Sequence, residues 1–317
     1  MGIDKLIGNT PMIKIRLEYD KKIINVYAKL EFYNYTGSIK DRLANYIIRN
    51  SYLNGTLKNK MPIVEATSGN TGIAFAALGA YYGHPVHIFM PDWVSEERIN
   101  IMRLYGARVY LISREDGGFQ EAIRQADLLA ESINGFRPDQ FSNELNVKTH
   151  YDTTGKEIVE KIPNIDAFIS GIGTGGTLMG ISTKIKEFHK DVEIIAMEPK
   201  QLPILSTGSV DGSHKIEGVG DDFIPPIVDK SIIDKIITID DEDAINMSRI
   251  LARKFGLGVG ISSGANLIAS ALSKKENVVT IFADDLKKYL STDLTNDINV
   301  DNTLISNNIN ILSIEYI

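Results

Sequence analysis

The sequence predicts an α/β protein built on mainly parallel sheet, and three observations carry that expectation. Short apolar runs of strand length alternate with longer segments of helical period from Ile63 to Phe282. Several of the apolar runs end in glycine- or hydroxyl-rich turns, the places where open parallel sheets bind ligands. The chain has 317 residues, 43% of them hydrophobic and 24% charged, which suits one large or two medium domains with ordinary cores.

Taken in order, two apolar runs flank a charged turn at Glu18–Lys22 and predict strands at 12–16 and 24–30. Helical periodicity runs from Ser38 to Leu53 and stops at Asn54-Gly55. Ser38 and Asp41 have the spacing of a capping box, which places the helix start at Ser38. Pro62–Ala66 reads as a buried strand, and a small-residue helix covers Ile73–Tyr82 before the break at Gly83-His84-Pro85. Val86–Met90 is a strand, Ser95–Leu104 a helix, Arg108–Ile112 a strand and 118–132 a helix. Past Pro138 the pattern resumes with a helix at 147–161, a strand at Asp166–Ser170, a helix ending near Phe188 and a strand at Val192–Met197. Residues 200–230 read as a long irregular loop. Helices at 241–255 and 264–273 and a strand at Val278–Phe282 complete the core. The tail from Thr292 to Ile317, rich in Asn and Ile, has no assigned role.

Composition removes several function classes. Cysteine is absent, so disulfides, thiolate metal sites and a cysteine nucleophile are excluded. The five histidines show no metal-ligand spacing, and no metal is expected. The formal charge is −7 with scattered basic residues, which argues against nucleic acid as a partner. No apolar run reaches the roughly 18 residues of a transmembrane helix, and the N-terminus has no signal-peptide pattern. The expectation is a cytoplasmic protein.

Four loops hold the chemistry. In the first, Lys40 follows the turn Asn34–Gly37 and falls in the first turn of a helix. That is a poor place for a cation, because the helix N-terminus carries partial positive charge. Lysine is also the side chain most readily used as a neutral amine or as an imine. The second, T-S-G-N-T-G at Thr67–Gly72, offers hydroxyls, an amide and backbone N–H groups suited to a carboxylate. The third, G-I-G-T-G-G-T-L-M-G at Gly171–Gly180, follows a strand and opens a helix, so the amides of Gly173–Thr177 suit a phosphate. This loop has a second reading. Gly171, Gly173 and Gly176 match the dinucleotide fingerprint, with Glu198 ending a strand further on, which suits a nicotinamide dehydrogenase. The fourth, G-L-G-V-G-I-S-S-G at Gly256–Gly264, carries Ser262 as a neutral hydrogen-bonding group. Each loop alone also reads as ordinary turn geometry. One ligand accounts for all four: pyridoxal phosphate needs a lysine, a glycine-rich helix start, a partner for its ring nitrogen and a carboxylate site for its amino-acid substrate.

The chain resembles the cysteine synthase and cystathionine β-synthase family of pyridoxal-phosphate enzymes of fold type II, over about Leu6–Thr292. The matching stretches are L-I-G-N-T-P from Leu6, G-S-I-K-D-R from Gly37, T-S-G-N-T-G from Thr67, Q-F-S-N from Gln140, H-Y-D-T-T from His150, G-T-G-G-T from Gly173 and G-I-S-S-G from Gly260. The resemblance implies two open α/β domains with the active site between them. Residues 35–145 would form a smaller mobile substrate-binding domain. Residues 13–34 and 146–317 would form a larger cofactor-binding domain, with 1–12 as an N-terminal arm. It implies that Lys40 forms the internal aldimine, Asn70 hydrogen-bonds the cofactor's phenolic oxygen, and Gly173, Thr174, Gly175, Gly176 and Thr177 bind its phosphate. Ser262 would face the pyridine nitrogen, while Thr67, Ser68, Asn70, Thr71 and Gln140 would hold the substrate. A homodimer is also implied. The chemistry expected is β-elimination through an α-aminoacrylate followed by addition of a second nucleophile, with Lys40 as general base.

The departures from the family pattern bear on substrates. The turn before Lys40 reads Tyr35-Thr36-Gly37-Ser38, where the family uses smaller residues. In Glu217–Pro226, E-G-V-G-D-D-F-I-P-P, cysteine synthases carry a small residue and Gly at 221 and 222. The cystathionine synthases are more similar, with an Asp aligned to Asp222, but their regulatory domain and haem-binding extension are not expected here. A carboxylate there repels a sulfide anion and suits a second amino acid or a thiol needing a base. Asp222 is therefore expected as a catalytic residue, and the closest kind is the bacterial hydrogen-sulfide-producing, lanthionine-forming members. L-Cysteine would be the substrate. O-Acetylserine with sulfide, or L-serine condensation of the cystathionine synthase type, stand as alternatives.

Overall fold

The structure is a computed structural model, which describes residues 2–296 and 303–317. The chain opens with a hairpin, β1 (Met12–Tyr19) and β2 (Lys22–Leu30), paired from Met12↔Lys29 to Tyr19↔Lys22. Its two-residue turn, Asp20-Lys21, has φ of 49° and 61°. Left-handed conformation at both positions matches the twist of the flanking strands. There follow α1 (Lys40–Leu53), β3 (Ile63–Ala66), α2 (Asn70–Tyr82), β4 (Val86–Pro91), α3 (Glu96–Leu104), β5 (Arg108–Ile112) and α4 (Gly118–Ser132). Then come α5 (Leu145–His150), α6 (Lys156–Lys161), β6 (Ala167–Gly171), α7 (Gly176–Phe188), β7 (Glu193–Pro199) and α8 (Ile204–Thr207). The chain closes with β8 (Lys235–Ile239), α9 (Asp241–Phe255), α10 (Ile261–Ser273), β9 (Asn277–Phe282) and β10 (Asn310–Tyr316).

These strands make two sheets. The larger has the order β10-β1-β2-β9-β6-β7-β8, with β2 through β8 parallel and the β10-β1-β2 edge antiparallel. The smaller, β3-β4-β5, is wholly parallel. Helices cover both faces of each, as parallel sheets require. On the large sheet, Ile245, Leu251 and Ile268 of α9 and α10 pack on one face, and Ile158, Ile181 and Ile185 of α6 and α7 pack on the other. On the small sheet, Ile47, Phe75 and Met102 lie on one face, and Phe119, Ala122 and Ala126 of α4 lie on the other.

The α/β class and most element positions match the sequence reading. Four differences have physical reasons. The tail supplies β10, which pairs antiparallel with β1 from Ile13↔Tyr316 to Glu18↔Asn310 and extends the sheet beyond the hairpin. Lys235–Ile239, unassigned in sequence, is an edge strand beside β7. The expected helix at 147–161 is interrupted by a π-turn at Tyr151–Gly155 between α5 and α6. There Thr153 Oγ1 bonds back to Thr149 O at 2.6 Å, and His150 Nδ1 lies 3.0 Å from Thr154 Oγ1. Such insertions are typical of functional sites. Finally, α10 begins at Ile261 rather than 264, so Ser262 sits in a helix's first turn.

Candidate active site

The carboxyl ends of the strands and the first turns of α1, α2, α7 and α10 converge on one cleft. It is lined by Lys40, Thr67, Ser68, Asn70, Thr71, Gln140, Gly173, Thr174, Gly175, Thr177 and Ser262. Nearly every residue singled out in sequence therefore shares one cavity.

Lys40 is the first residue of α1, two residues later than the capping pattern suggested. The turn before it is tied by Asp41, whose carboxylate accepts from Thr36 N at 2.7 Å and Thr36 Oγ1 at 2.6 Å. Ser38 Oγ accepts from Lys40 N at 3.3 Å, so the serine bonds the amide two residues on rather than three. Ile39 N donates to Ala283 O at 3.0 Å, which fastens the turn to the end of β9. Burial pushes the Lys40 amine below its usual range, Asp284 and Asp221 oppose that, and Arg98 and Lys288 reinforce it. A lysine so placed is primed to act as a neutral amine.

In the second loop, Thr67 Oγ1 accepts from Gly69 N at 3.0 Å. Thr71 Oγ1 donates to Gln140 Oε1 at 2.6 Å, and Gln140 Nε2 donates to Ala66 O at 2.8 Å. Gln140, buried, thus fixes the hydroxyl of the α2 first turn. In the third loop, Gly175 precedes α7 with φ of +88°, a left-handed conformation open to glycine. Thr174 Oγ1 accepts from Asn146 Nδ2 at 2.9 Å, which leaves the threonine's own proton for an anion. Thr177 Oγ1 lies 3.3 Å from His150 Nε2. Burial, together with the charges of Lys40 and Arg42, holds the His150 imidazole well below its usual range, so the ring is neutral. Gly176 lies behind the cup, against Asn146. The hydroxyls and helix amides of the cup, with no opposing carboxylate in it among the described residues, form a donor set that fits a phosphate monoester.

The dinucleotide reading fails on Glu198. Its carboxylate is buried and accepts from Leu205 N at 2.7 Å, Ser206 N at 3.1 Å and Ser206 Oγ at 2.5 Å. It caps α8 and is not free for a ribose.

Asp222 is the site residue that the structure places elsewhere. Its side chain is exposed, and Oδ1 accepts from Gln120 Nε2 at 3.4 Å. The cleft position belongs to its neighbour Asp221. The chain bends at Asp222 and Phe223, so neighbouring side chains leave the segment in different directions. Here Asp221 faces in, Asp222 faces out and Phe223 turns in to meet Phe141, ring centroids 5.0 Å apart. Burial and the charge of Asp222 push the Asp221 carboxyl up to about 7, while Lys40 opposes them.

Sequence reasoning missed a charged group at the cleft's edge: Arg98, Glu217, Asp284, Lys288 and Tyr289. Arg98 is 1% exposed, pairs through Nη1 with Glu217 and lies with Nη2 at 3.7 Å from Asp284 Oδ2. Tyr289 OH donates to Asp284 Oδ2 at 2.8 Å, and its ring carries the Arg98 guanidinium 4.9 Å from the centroid. The available signal was positional. Asp284 lies just past the carboxyl end of β9, where α/β sites are built.

Residues 3–284 match the family described as pyridoxal-phosphate dependent enzyme. A cysteine synthase of Staphylococcus aureus is 40% identical over 300 residues, spanning 92% of this chain and 96% of the relative. A hydrogen sulfide-producing enzyme from Fusobacterium nucleatum superposes with a TM-score of 0.93 at 45% identity, covering 99% of this chain and 98% of the neighbour. An aspartate-to-asparagine mutant of that enzyme, lysine-dimethylated and complexed with an α-aminoacrylate intermediate, gives 0.95 at 44%, again covering 99% and 98%. The chain belongs to the pyridoxal-phosphate dependent enzymes, and within them it is an enzyme of the cysteine synthase kind that performs β-replacement or β-elimination.

Proposed function

We propose that the enzyme takes L-cysteine, releases hydrogen sulfide, and joins the remaining three-carbon unit to the sulfur of a second amino-acid thiol, giving a lanthionine-type thioether. The observation that carries this reading is Asp221, a cleft carboxyl held near neutrality beside Lys40. The likeness to a hydrogen sulfide-producing enzyme at 45% identity supports it.

Pyridoxal phosphate fits the residues present: Gly173–Thr177 and the start of α7 would hold its phosphate, Lys40 would bond its aldehyde carbon, and Asn70 and Ser262 would meet its phenolic oxygen and ring nitrogen. When bound, it supplies the electron sink that makes the substrate's α-proton removable. A neutral hydroxyl at Ser262 leaves that sink weaker than a carboxylate partner would, which favours prompt departure of a β-group. The chain's own residues do the rest. Thr67, Ser68, Thr71 and Gln140, at the positive end of α2, orient the substrate carboxylate. The Lys40 amine, its proton affinity lowered by burial, removes the α-proton as HS⁻ leaves the β-carbon. Asp221 then takes the proton of the incoming thiol as its sulfur bonds to that β-carbon, and Lys40 returns a proton to the α-carbon. A carboxylate at this place disfavours sulfide as the nucleophile by charge repulsion. We read Asp221, rather than Asp222, as the acidic residue that selects the second substrate. The same reading includes a homodimer and a smaller substrate-binding domain, 35–145, that closes over the substrate.

Product analysis with L-cysteine as sole substrate tests the proposal. Sulfide and thioether in equal amounts are expected. Efficient cysteine formation from O-acetylserine and sulfide, with little sulfide from cysteine alone, would instead establish a cysteine synthase.

A further inference from the structure

Asn70 is held by two ionic partners of opposite polarity. Its Oδ1 accepts from Lys288 Nζ at 2.9 Å, and its Nδ2 donates to Asp284 Oδ2 at 2.7 Å. Both partners are buried, Lys288 at 3% exposure and Asp284 at 1%. An amide side chain can normally turn over, exchanging its oxygen and nitrogen. Here the turned-over form would set NH₂ against an ammonium and carbonyl oxygen against a carboxylate, so one orientation is enforced. In that orientation one N–H of Nδ2 is spent on Asp284, and the second is available to the cleft that Asn70 lines with Lys40.

The partners are themselves built in. Lys288 Nζ also donates to Gly37 O at 3.0 Å, in the turn that carries Lys40. Asp284 is bridged through its backbone to Ser38, and its carbonyl accepts from Gly260 N at 3.0 Å. A Cβ at Gly260 would overlap Asp284 Oδ1 and lie 2.8 Å from Tyr289 Cε2, so the first glycine of G-I-S-S-G is what makes room for this carboxylate. Ser95 Oγ donates to Lys288 O at 2.8 Å and holds the segment from the side of α3. The stretch Asp284–Tyr289 therefore touches the lysine turn, the asparagine loop and the serine loop together.

We propose that Lys288 and Asp284 are positioning residues, a two-ended clamp that fixes the orientation of Asn70 so that its free N–H meets the phenolic oxygen of pyridoxal phosphate. The clamp rests on the reading that Asn70 contacts that oxygen. Without it, the amide samples the turned-over form, and a donor to the cofactor becomes an acceptor.

The test compares Asn70→Ala, Lys288→Met, Lys288→Arg, Asp284→Asn and the Asn70→Ala/Lys288→Met double variant as holoenzymes. Two readouts are the rate at which pyridoxal phosphate leaves the protein and the position of its visible absorption band. Melting temperature monitors the fold. Loss of one oriented hydrogen bond corresponds to cofactor release about tenfold faster in Lys288→Met. A band shift in the same direction as Asn70→Ala is expected, with Lys288→Arg close to wild type. Because Lys288 acts through Asn70, adding Lys288→Met to Asn70→Ala should change neither readout further. Should Lys288→Met fail to fold, Asp284→Asn, which removes charge but not volume, is expected to give the same shift. The clamp is refuted if Asn70→Ala moves both readouts while folded Lys288→Met and Asp284→Asn leave them at wild type, or if the double variant is additive. If Asn70→Ala itself moves neither, the contact between Asn70 and the cofactor is wrong, and the clamp falls with it.

Discussion

Replacing Glu157 with Gln should destabilise the protein by an amount readable from its surroundings. Glu157, its side chain 16% exposed, joins the buried Arg42, Glu31 and Lys29 in a four-member cluster. Arg42 gives it two bonds, Nη1 at 2.6 Å and Nη2 at 2.8 Å, and Lys29 Nζ lies 2.7 Å away. Arg42 reaches Glu31 with Nε at 2.6 Å and Nη2 at 2.9 Å. The two positive and two negative groups balance, and Glu157→Gln would leave one positive charge uncompensated. Burial raises the Glu157 carboxyl, but the bonds and charges of Arg42 and Lys29 outweigh it and hold the group at about 2, against 4.5 when unpaired. That difference is worth roughly 3 kcal/mol at about 1.4 kcal/mol per pKa unit. With an unfolding entropy of about 2.1 cal/mol/K per residue over this length, the melting temperature should fall by roughly 4–5 °C at pH 7. The pH dependence follows in sign. A carboxyl with a depressed folded pKa stabilises fully above its unfolded value of 4.5 and loses that contribution as pH falls towards about 2. The gap between wild type and variant should therefore narrow in acid, with more than half gone by about pH 3. Differential scanning calorimetry of the holoenzymes measures both. A shift under about 1 °C at pH 7, or a gap that does not narrow in acid, would show that the cluster does not carry this energy.

Asp221→Asn should depress thioether formation by at least about 10²-fold, the usual contribution of a general base, with sulfide release much less affected; Asp222→Asn should leave both near wild type. The wild-type thioether rate should climb as pH rises through about 7, where the Asp221 carboxyl loses its proton, and the Asn variant should lack that limb. Loss of thioether formation in Asp222→Asn with Asp221→Asn near wild type, measured by product chromatography, would return the role to Asp222. Gly175→Ala should weaken cofactor binding at least tenfold, because its φ is +88° and a Cβ would overlap Val228 Cγ2; cofactor retention on dialysis reads this, and unchanged retention counts against the phosphate cup. Borohydride treatment of the holoenzyme should fix the cofactor on the peptide containing Lys40, and Lys40→Ala should lose more than about 10²-fold activity; peptide mass spectrometry finding the adduct elsewhere would overturn the assignment.

The sequence by itself determined the α/β class, the loops that converge at the strand ends and about half of the residues that line the cleft. Those features rest on local rules: hydrophobic period sets element type, and glycine with hydroxyl residues at a strand-to-helix turn marks an anion site. Lys40, Asn70, Gly173–Thr177 and Ser262 were legible because each sits in such a turn. The tertiary structure decided what local rules do not reach. Whether Asp221 or Asp222 enters the cleft depends on how the bend at Asp222 and Phe223 is anchored, with Phe223 set against Phe141. The π-turn at Tyr151–Gly155, which lies against α7, has no counterpart in the hydrophobic period. The tail's strand needed β1 as a template. Arg98, Asp284 and Lys288 look like ordinary surface charges in sequence, and only the folded chain buries them together. A buried ion is tolerable only beside its partners, and those partners come from segments as far apart as α3 and the end of β9.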